Sequence, residues 1–206
     1  VFYHRTELPD PNKGFSSNTS FIYYNDSASK IGSFSVQNRQ SITYDEMPQN
    51  LRDAVVSAEN RTFWSDPGIS VKGMSRAAFS VLRGGDVQGG STITQQYIKV
   101  LYLSQERTMQ RKLKELVLAD KMGRKVPKED ILAGYLNTIY FGRGAYGVQA
   151  AAKAYFNIDA KDLDLRQAAV LAAVLNNPTL FDPSDGPAAR ERLLGRYRYV
   201  LDGMLE

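Results

Sequence analysis

The stretch Asp45-Glu46-Met47-Pro48-Gln49-Asn50-Leu51-Arg52-Asp53-Ala54-Val55-Val56-Ser57-Ala58-Glu59-Asn60 decides how the chain is read. Leu51, Ala54, Val55 and Ala58 recur at helical spacing and so share one face. Pro48 sits early, where a missing amide is tolerated, and the helix is expected to end near Asn60. Before Asp45 the pattern differs. Residues 21–24 and 31–36 are short β-type runs separated by Asn25, Asp26 and Ser27, so residues 21–44 read as a β-hairpin entrance segment. Residues 1–20, with Pro9, Pro11, Gly14 and a Ser/Asn cluster, carry no apolar period and read as a linker.

After Asn60 the helical period returns at 71–82, then after a Gly-rich segment ending at Gly90, where Ser91 or Thr92 can cap a new helix. It recurs at 108–122, 128–140, 146–156, 165–175 and 187–205, with a polar connection at 159–164. The expected fold class is mostly α. The aromatic stretch Tyr135, Tyr140, Phe141 and Tyr146 is expected in the core, with Gly142, Gly144 and Gly147 turning the chain between two helices.

Composition narrows the chemistry. The 206 residues are 43% hydrophobic and 23% charged, ordinary for a folded chain, and the net charge of +4 permits an anionic partner without naming one. Absence of cysteine excludes disulfides, thiolate metal sites and Cys nucleophiles. The single histidine, His4, excludes a histidine-based triad or metal site in the core. No apolar run reaches membrane-spanning length. The first residue is Val1 rather than Met, so an excised fragment is expected.

Four features bear on function. Glu59 follows an apolar helical face, where a carboxylate is costly to charge; it reads as a base or as a solvated residue at a frayed helix end. Gly89-Gly90-Ser91-Thr92-Ile93-Thr94-Gln95-Gln96 offers close backbone approach, helix-start amides, hydroxyls and carboxamides, suited to oxyanions or sugars, or reads as a capped polar helix start. It is not a P-loop, because no Gly-Lys-Ser/Thr follows. Lys99, Arg107, Arg111 and Lys112 form a cationic group suited to phosphate oxygens, or a solvated basic face. Glu115, four residues after Arg111 and three after Lys112, reads by default as a surface ion pair. Ser27-Ala28-Ser29-Lys30 matches S-x-x-K, but it sits in the expected hairpin turn and no K-T-G follows, so it is set aside.

With these features in order, the sequence resembles the peptidoglycan glycosyltransferase family, the glycan-polymerising domain of class A penicillin-binding proteins. Glu59 to Gly68 resembles Glu-Asp-x-x-Phe-x-x-His-x-Gly, and Gly89 to Val100 resembles Gly-x-Ser-Thr-x-x-Gln-Gln-x-x-Lys-Asn. Arg111-Lys112-Leu113-Lys114-Glu115 matches Arg-Lys-x-x-Glu; residues 135–147, and Ala168-Ala169-Val170-Leu171-Ala172 through Asn177-Pro178, match the fourth and fifth motifs. Asn60 stands in place of the usual Asp, Asp66 of the usual His, Val100 of the usual Asn, and Gly123 where an acidic residue is common.

The resemblance implies a lysozyme-like larger lobe and a smaller, mobile, membrane-facing lobe at about 70–90, within a glycosyltransferase domain at 45–206. It implies polymerisation of lipid II into β-1,4-linked glycan strands with release of undecaprenyl pyrophosphate. Glu59 would be the general base. Glu115 would orient the cations or support the donor site. Ser91, Thr92, Gln95, Gln96, Lys99, Arg107 and Lys112 would hold the donor and its pyrophosphate, with Asn60, Phe63 and Asp66 beside the site. A divalent cation (Mg or Mn) at the pyrophosphate is compatible with that chemistry. The implied partners are lipid II, the lipid-linked nascent glycan, the outer face of the bacterial plasma membrane and phosphoglycolipid inhibitors such as moenomycin. An N-terminal anchor helix and a C-terminal transpeptidase domain are expected in the full-length protein. The alternatives are a lysozyme-like glycan-cleaving enzyme and a non-catalytic lipid II-binding scaffold. A nucleic-acid partner is not expected, because there is no basic stripe.

Overall fold

In the computed structural model, the described residues are 19–23, 30–35, 40–70, 90–102 and 109–206. Strands β1 (Thr19–Tyr23) and β2 (Lys30–Ser35) pair antiparallel, starting one or two residues ahead of the expected runs. Seven helices follow among the described residues. They are α1 (Gln49–Glu59), α2 (Ile93–Tyr102), α3 (Met109–Lys125), α4 (Lys128–Thr138), α5 (Val148–Phe156), α6 (Leu165–Leu175) and α7 (Pro187–Met204). The expected helix at 71–82, nearly all of the expected membrane-facing lobe and the S-x-x-K serines lie outside the described residues.

The helices assemble as their patterns require. α1, α6 and α7 pack on one another, α2 packs on α3 and α4, and α5 bridges α4 to α6. α6 is rich in alanine and buried on nearly every side (Ala168, Ala169, Leu171, Ala172, Ala173, Val174), which lets α1 approach closely with Leu51, Ala54, Val55 and Ala58. Asp164 starts α6 with a capping box, accepting from the Gln167 amide at 2.8 Å while the Gln167 side chain accepts from the Asp164 amide. α5 ends at Asn157 in the left-handed region.

Two expectations shift at the glycine-rich turn. α4 stops at Thr138, two residues short of Tyr140, and α5 begins at Val148. The intervening chain doubles back: Tyr140 bridges Tyr146, and Gly147 N–H donates to Ile139 at 2.9 Å. Ile139 is extended and ends α4, and Gly142, Arg143, Gly144 and Gly147, all with positive φ, then turn the chain. The expectation of a wholly buried aromatic group is corrected for Tyr140. It is 38% exposed and packs on Tyr146, whereas Tyr135 and Phe141 are fully buried. Arg143 anchors the turn to the 3-10 turn Pro183–Asp185 through a forked contact with Asp182, with Nη2 to Oδ1 at 2.7 Å.

Candidate active site

Glu59 is the last residue of α1, placed where the apolar face ends. The expected apolar setting is corrected: each carboxylate oxygen has a polar partner. Oε2 accepts from Gln96 Nε2 on α2 at 2.9 Å, and Oε1 lies 3.4 Å from Arg196 Nη2 on α7. Behind Gln96 stands Tyr135 of α4, whose hydroxyl donates to Gln96 Oε1 at 2.9 Å. This order fixes the amide. A carboxylate only accepts, so the amide nitrogen faces Glu59 and the amide oxygen faces the phenol. Burial first, then the Glu59 charge, pushes the Tyr135 phenol well above its ordinary pKa, so it stays a donor. The Glu59 side chain is 8% exposed.

The loop after Glu59 ties three other helices to the site. Asn60 Nδ2 donates to Asp66 Oδ2 at 2.8 Å, so two of the motif departures meet each other. Where the family pattern has an acid and a histidine, this chain has an amide donor and a carboxylate acceptor. Asp66 Oδ1 also accepts from Gly68 N–H at 2.8 Å and faces Lys128 Nζ of α4 at 3.1 Å. That Lys128 ammonium lies 4.7 Å from the centroid of the fully buried Phe63 ring. Gly68, at φ +93, lies against α3, where a Cβ would meet Ala119 O at 2.2 Å. Gly123 answers it from α3: a Cβ there would come within 2.3 Å of Pro67 O, so with this loop in place the position admits only glycine.

The start of α2 uses part of the expected donor site internally. Thr92 Oγ1 donates to Gly68 O at 2.6 Å and accepts from Gln95 N–H at 3.1 Å, while Gln95 Oε1 accepts from Thr92 N–H at 2.8 Å. Both side chains are buried. Ser91 and Lys99 are exposed, and Gln96 is half-buried against Glu59. On α3, Glu115 is buried and pairs with Lys112 and, at 3.8 Å, with Arg111 Nη1. Glu115 therefore sits in the structure as an anchor for two cations. Among the described residues its ion-pair partners lie on α3, and Glu59 is joined instead to α2 and α7. Arg107 lies outside the described residues. Among the described residues no three His, Cys, Asp or Glu side chains gather as a metal site, and both Glu115 oxygens already face cations. These residues do not fit a protein-built metal centre.

Sequence reasoning missed Tyr135, Lys128 and Arg196 as site residues. The motif at 135–147 pointed to the first only as an aromatic in a helix. The other two reach the site across 62 and 137 residues of chain, a separation no local pattern encodes.

A family model described as Transglycosylase matches residues 26–205. The chain is 46% identical over 173 residues to penicillin-binding protein 1A of Mycobacterium tuberculosis, covering 82% of this chain and 21% of that protein. It is 42% identical over 202 residues to penicillin-binding protein 1A of Aquifex aeolicus, covering 97% and 27%. Among solved structures, penicillin-binding protein 1A from Haemophilus influenzae superposes at TM-score 0.46 with 21% identity, covering 91% of this chain and 18% of that one. The chain thus spans between 21% and 27% of the length of the two curated relatives.

Proposed function

The chain belongs to the transglycosylase family, and from that premise we propose that it polymerises lipid II onto a lipid-linked glycan with Glu59 as general base. The observation that carries the reading is the Glu59 carboxylate, held on both oxygens from two different helices. A sugar hydroxyl is a poor nucleophile, so its proton must leave as the new bond forms. In the proposed step Glu59 takes that proton, the acceptor oxygen bonds to the donor C1, and the C1–oxygen bond to the diphosphate breaks. The electron pair departs with undecaprenyl pyrophosphate. Attack opposite the leaving group converts an α-linked donor into a β-1,4 bond.

A diphosphate is already a good leaving group, so charge neutralisation serves it better than protonation. Lys99, Arg107 and Lys112 supply that charge. Glu115 keeps Lys112 and Arg111 in place, and Ser91 and Gln96 offer polar contacts to the donor. Thr92 and Gln95 act on the donor indirectly, by shaping the start of α2. Any Mg or Mn would draw its ligands mainly from the diphosphate.

The reading places the domain at the outer face of the bacterial plasma membrane, beside a transpeptidase unit and an anchor helix in the full-length protein. No helix among the described residues is long and apolar enough to cross a membrane. Phosphoglycolipids such as moenomycin are the inhibitors expected to compete for the site. The test is Glu59→Gln in a lipid II polymerisation assay: glycan formation should be abolished while the thermal midpoint stays near that of the parent. Polymerisation at the parent rate would sink the base assignment.

A further inference from the structure

On this reading of Glu59 as the base, we infer that Arg196 of α7 is the positioning residue that holds its carboxylate in the reactive orientation. α7 is seated closely on the last turn of α1. Ser57 Oγ donates to Val200 O at 2.9 Å, and a Cβ on Gly203 would come within 2.4 Å of Ser57 Oγ. From this seat Arg196 Nη2 donates to Ala58 O at 2.6 Å and reaches Glu59 Oε1 at 3.4 Å. Ala58 O is one of the carbonyls a helix end leaves without an intrahelical donor, and a cation suits that end of the helix dipole.

The guanidinium is itself held. It lies 4.5 Å from the centroid of the Tyr199 ring, and the Arg61 guanidinium lies 4.9 Å from that same centroid. Arg196 Nε is buried without a hydrogen-bond partner among the described residues. An unsatisfied buried donor is costly and calls for an explanation beyond closing a helix end, which water could do. Orientation of the base supplies one. Gln96 holds Oε2 and Arg196 Nη2 stands 3.4 Å from Oε1, so rotation of the carboxylate plane is opposed from both sides. With Arg196 gone, Gln96 alone leaves the plane free to turn about the last side-chain bond.

The experiment compares Arg196→Ala, Arg196→Lys and Glu59→Gln in steady-state lipid II polymerisation, with a thermal melt of each. Arg196→Ala should lower kcat by about 10- to 100-fold, the scale of a misplaced catalytic group. KM should stay within about twofold, because the lost interaction is felt at the chemical step. Guanidinium ion, added below denaturing concentration, should restore several-fold of the lost kcat in Arg196→Ala and nothing in Glu59→Gln. Parent-like kcat in Arg196→Ala beside an inactive Glu59→Gln overturns the positioning role and leaves the base standing. An active Glu59→Gln overturns the base itself. If Arg196→Ala melts early, Arg196→Lys decides. Lysine keeps the charge but lacks the planar fork that rests on Tyr199, so kcat should still fall with the fold intact, and full activity there refutes the inference.

Discussion

Replacing Tyr135 with Phe removes one buried oxygen and nothing else, and it tests the line Tyr135–Gln96–Glu59 directly. The lost bond is a neutral hydroxyl-to-amide contact of 2.9 Å in a fully buried ring. Such a bond contributes about 1 kcal/mol net, and its loss costs about 1–3 kcal/mol in all where the stranded acceptor stays buried. Gln96 is only half-buried, so water can reach its oxygen and the lower end applies. We expect a destabilisation of about 1–2 kcal/mol, which for a chain of this size lowers the thermal midpoint by roughly 2–8 °C. The activity loss should be larger than stability alone requires. Without the phenol the Gln96 amide can flip, presenting oxygen to the Glu59 carboxylate and loosening the base. Polymerisation kcat should fall by about tenfold. A double-mutant cycle with Gln96→Leu separates relay from simple packing. Residues in one hydrogen-bonded line should couple by at least about 0.5 kcal/mol. Additive effects on both midpoint and kcat would refute the relay.

Two further outcomes follow from the same geometry. Asn60→Asp sets a second carboxylate against Asp66, where a donor now stands at 2.8 Å, and should destabilise the loop by about 1–3 kcal/mol in thermal melts at neutral pH. Adding Asp66→Asn, which returns a donor to the pair while its Oδ1 can still accept from Gly68 N–H, should recover part of the loss, and no recovery would mean the pairing is not what holds the loop. At the glycine-rich turn, the Arg143 hydrogen bonds hold the Asp182 carboxyl well below the usual carboxylate range. A depressed folded pKa contributes stability above the unfolded value and loses it as pH falls. The midpoint difference between parent and Asp182→Asn should therefore be flat from pH 5 to 7 and narrow below about pH 4. A gap unchanged down to pH 2 would contradict the assignment.

Local pattern carried most of the fold. α6 falls at 165–175 as expected because Asp164, Gln167 and an unbroken apolar run mark its limits. α4 ends early at an extended Ile139, ahead of the four positive-φ residues that reverse the chain, and hydrophobic period alone does not report such a reversal. At the site, Glu59 was legible as a carboxylate ending an apolar face, and Gln96 as a polar residue on the facing helix. The uses of Thr92 and Gln95 were not, since a hydroxyl and carboxamide at a helix start serve a cap or a ligand equally well. Tyr135 gave the signal of a core aromatic, which it also is. Arg196 and Lys128 carry no local signal that sets them apart from the other cations of the chain. Only tertiary packing gives them a partner.

At Gly68 and Gly123 the main chains of the loop and α3 meet with no side chain between them. Backbone thickness thus acts as a mechanical stop between the segment leaving Glu59 and the helix bearing Glu115. Leu113, exposed on α3, takes no part in that contact. The stop has no intermediate setting: one added methyl group would lift the loop away, and the acid and the cation anchor would lose their common ruler.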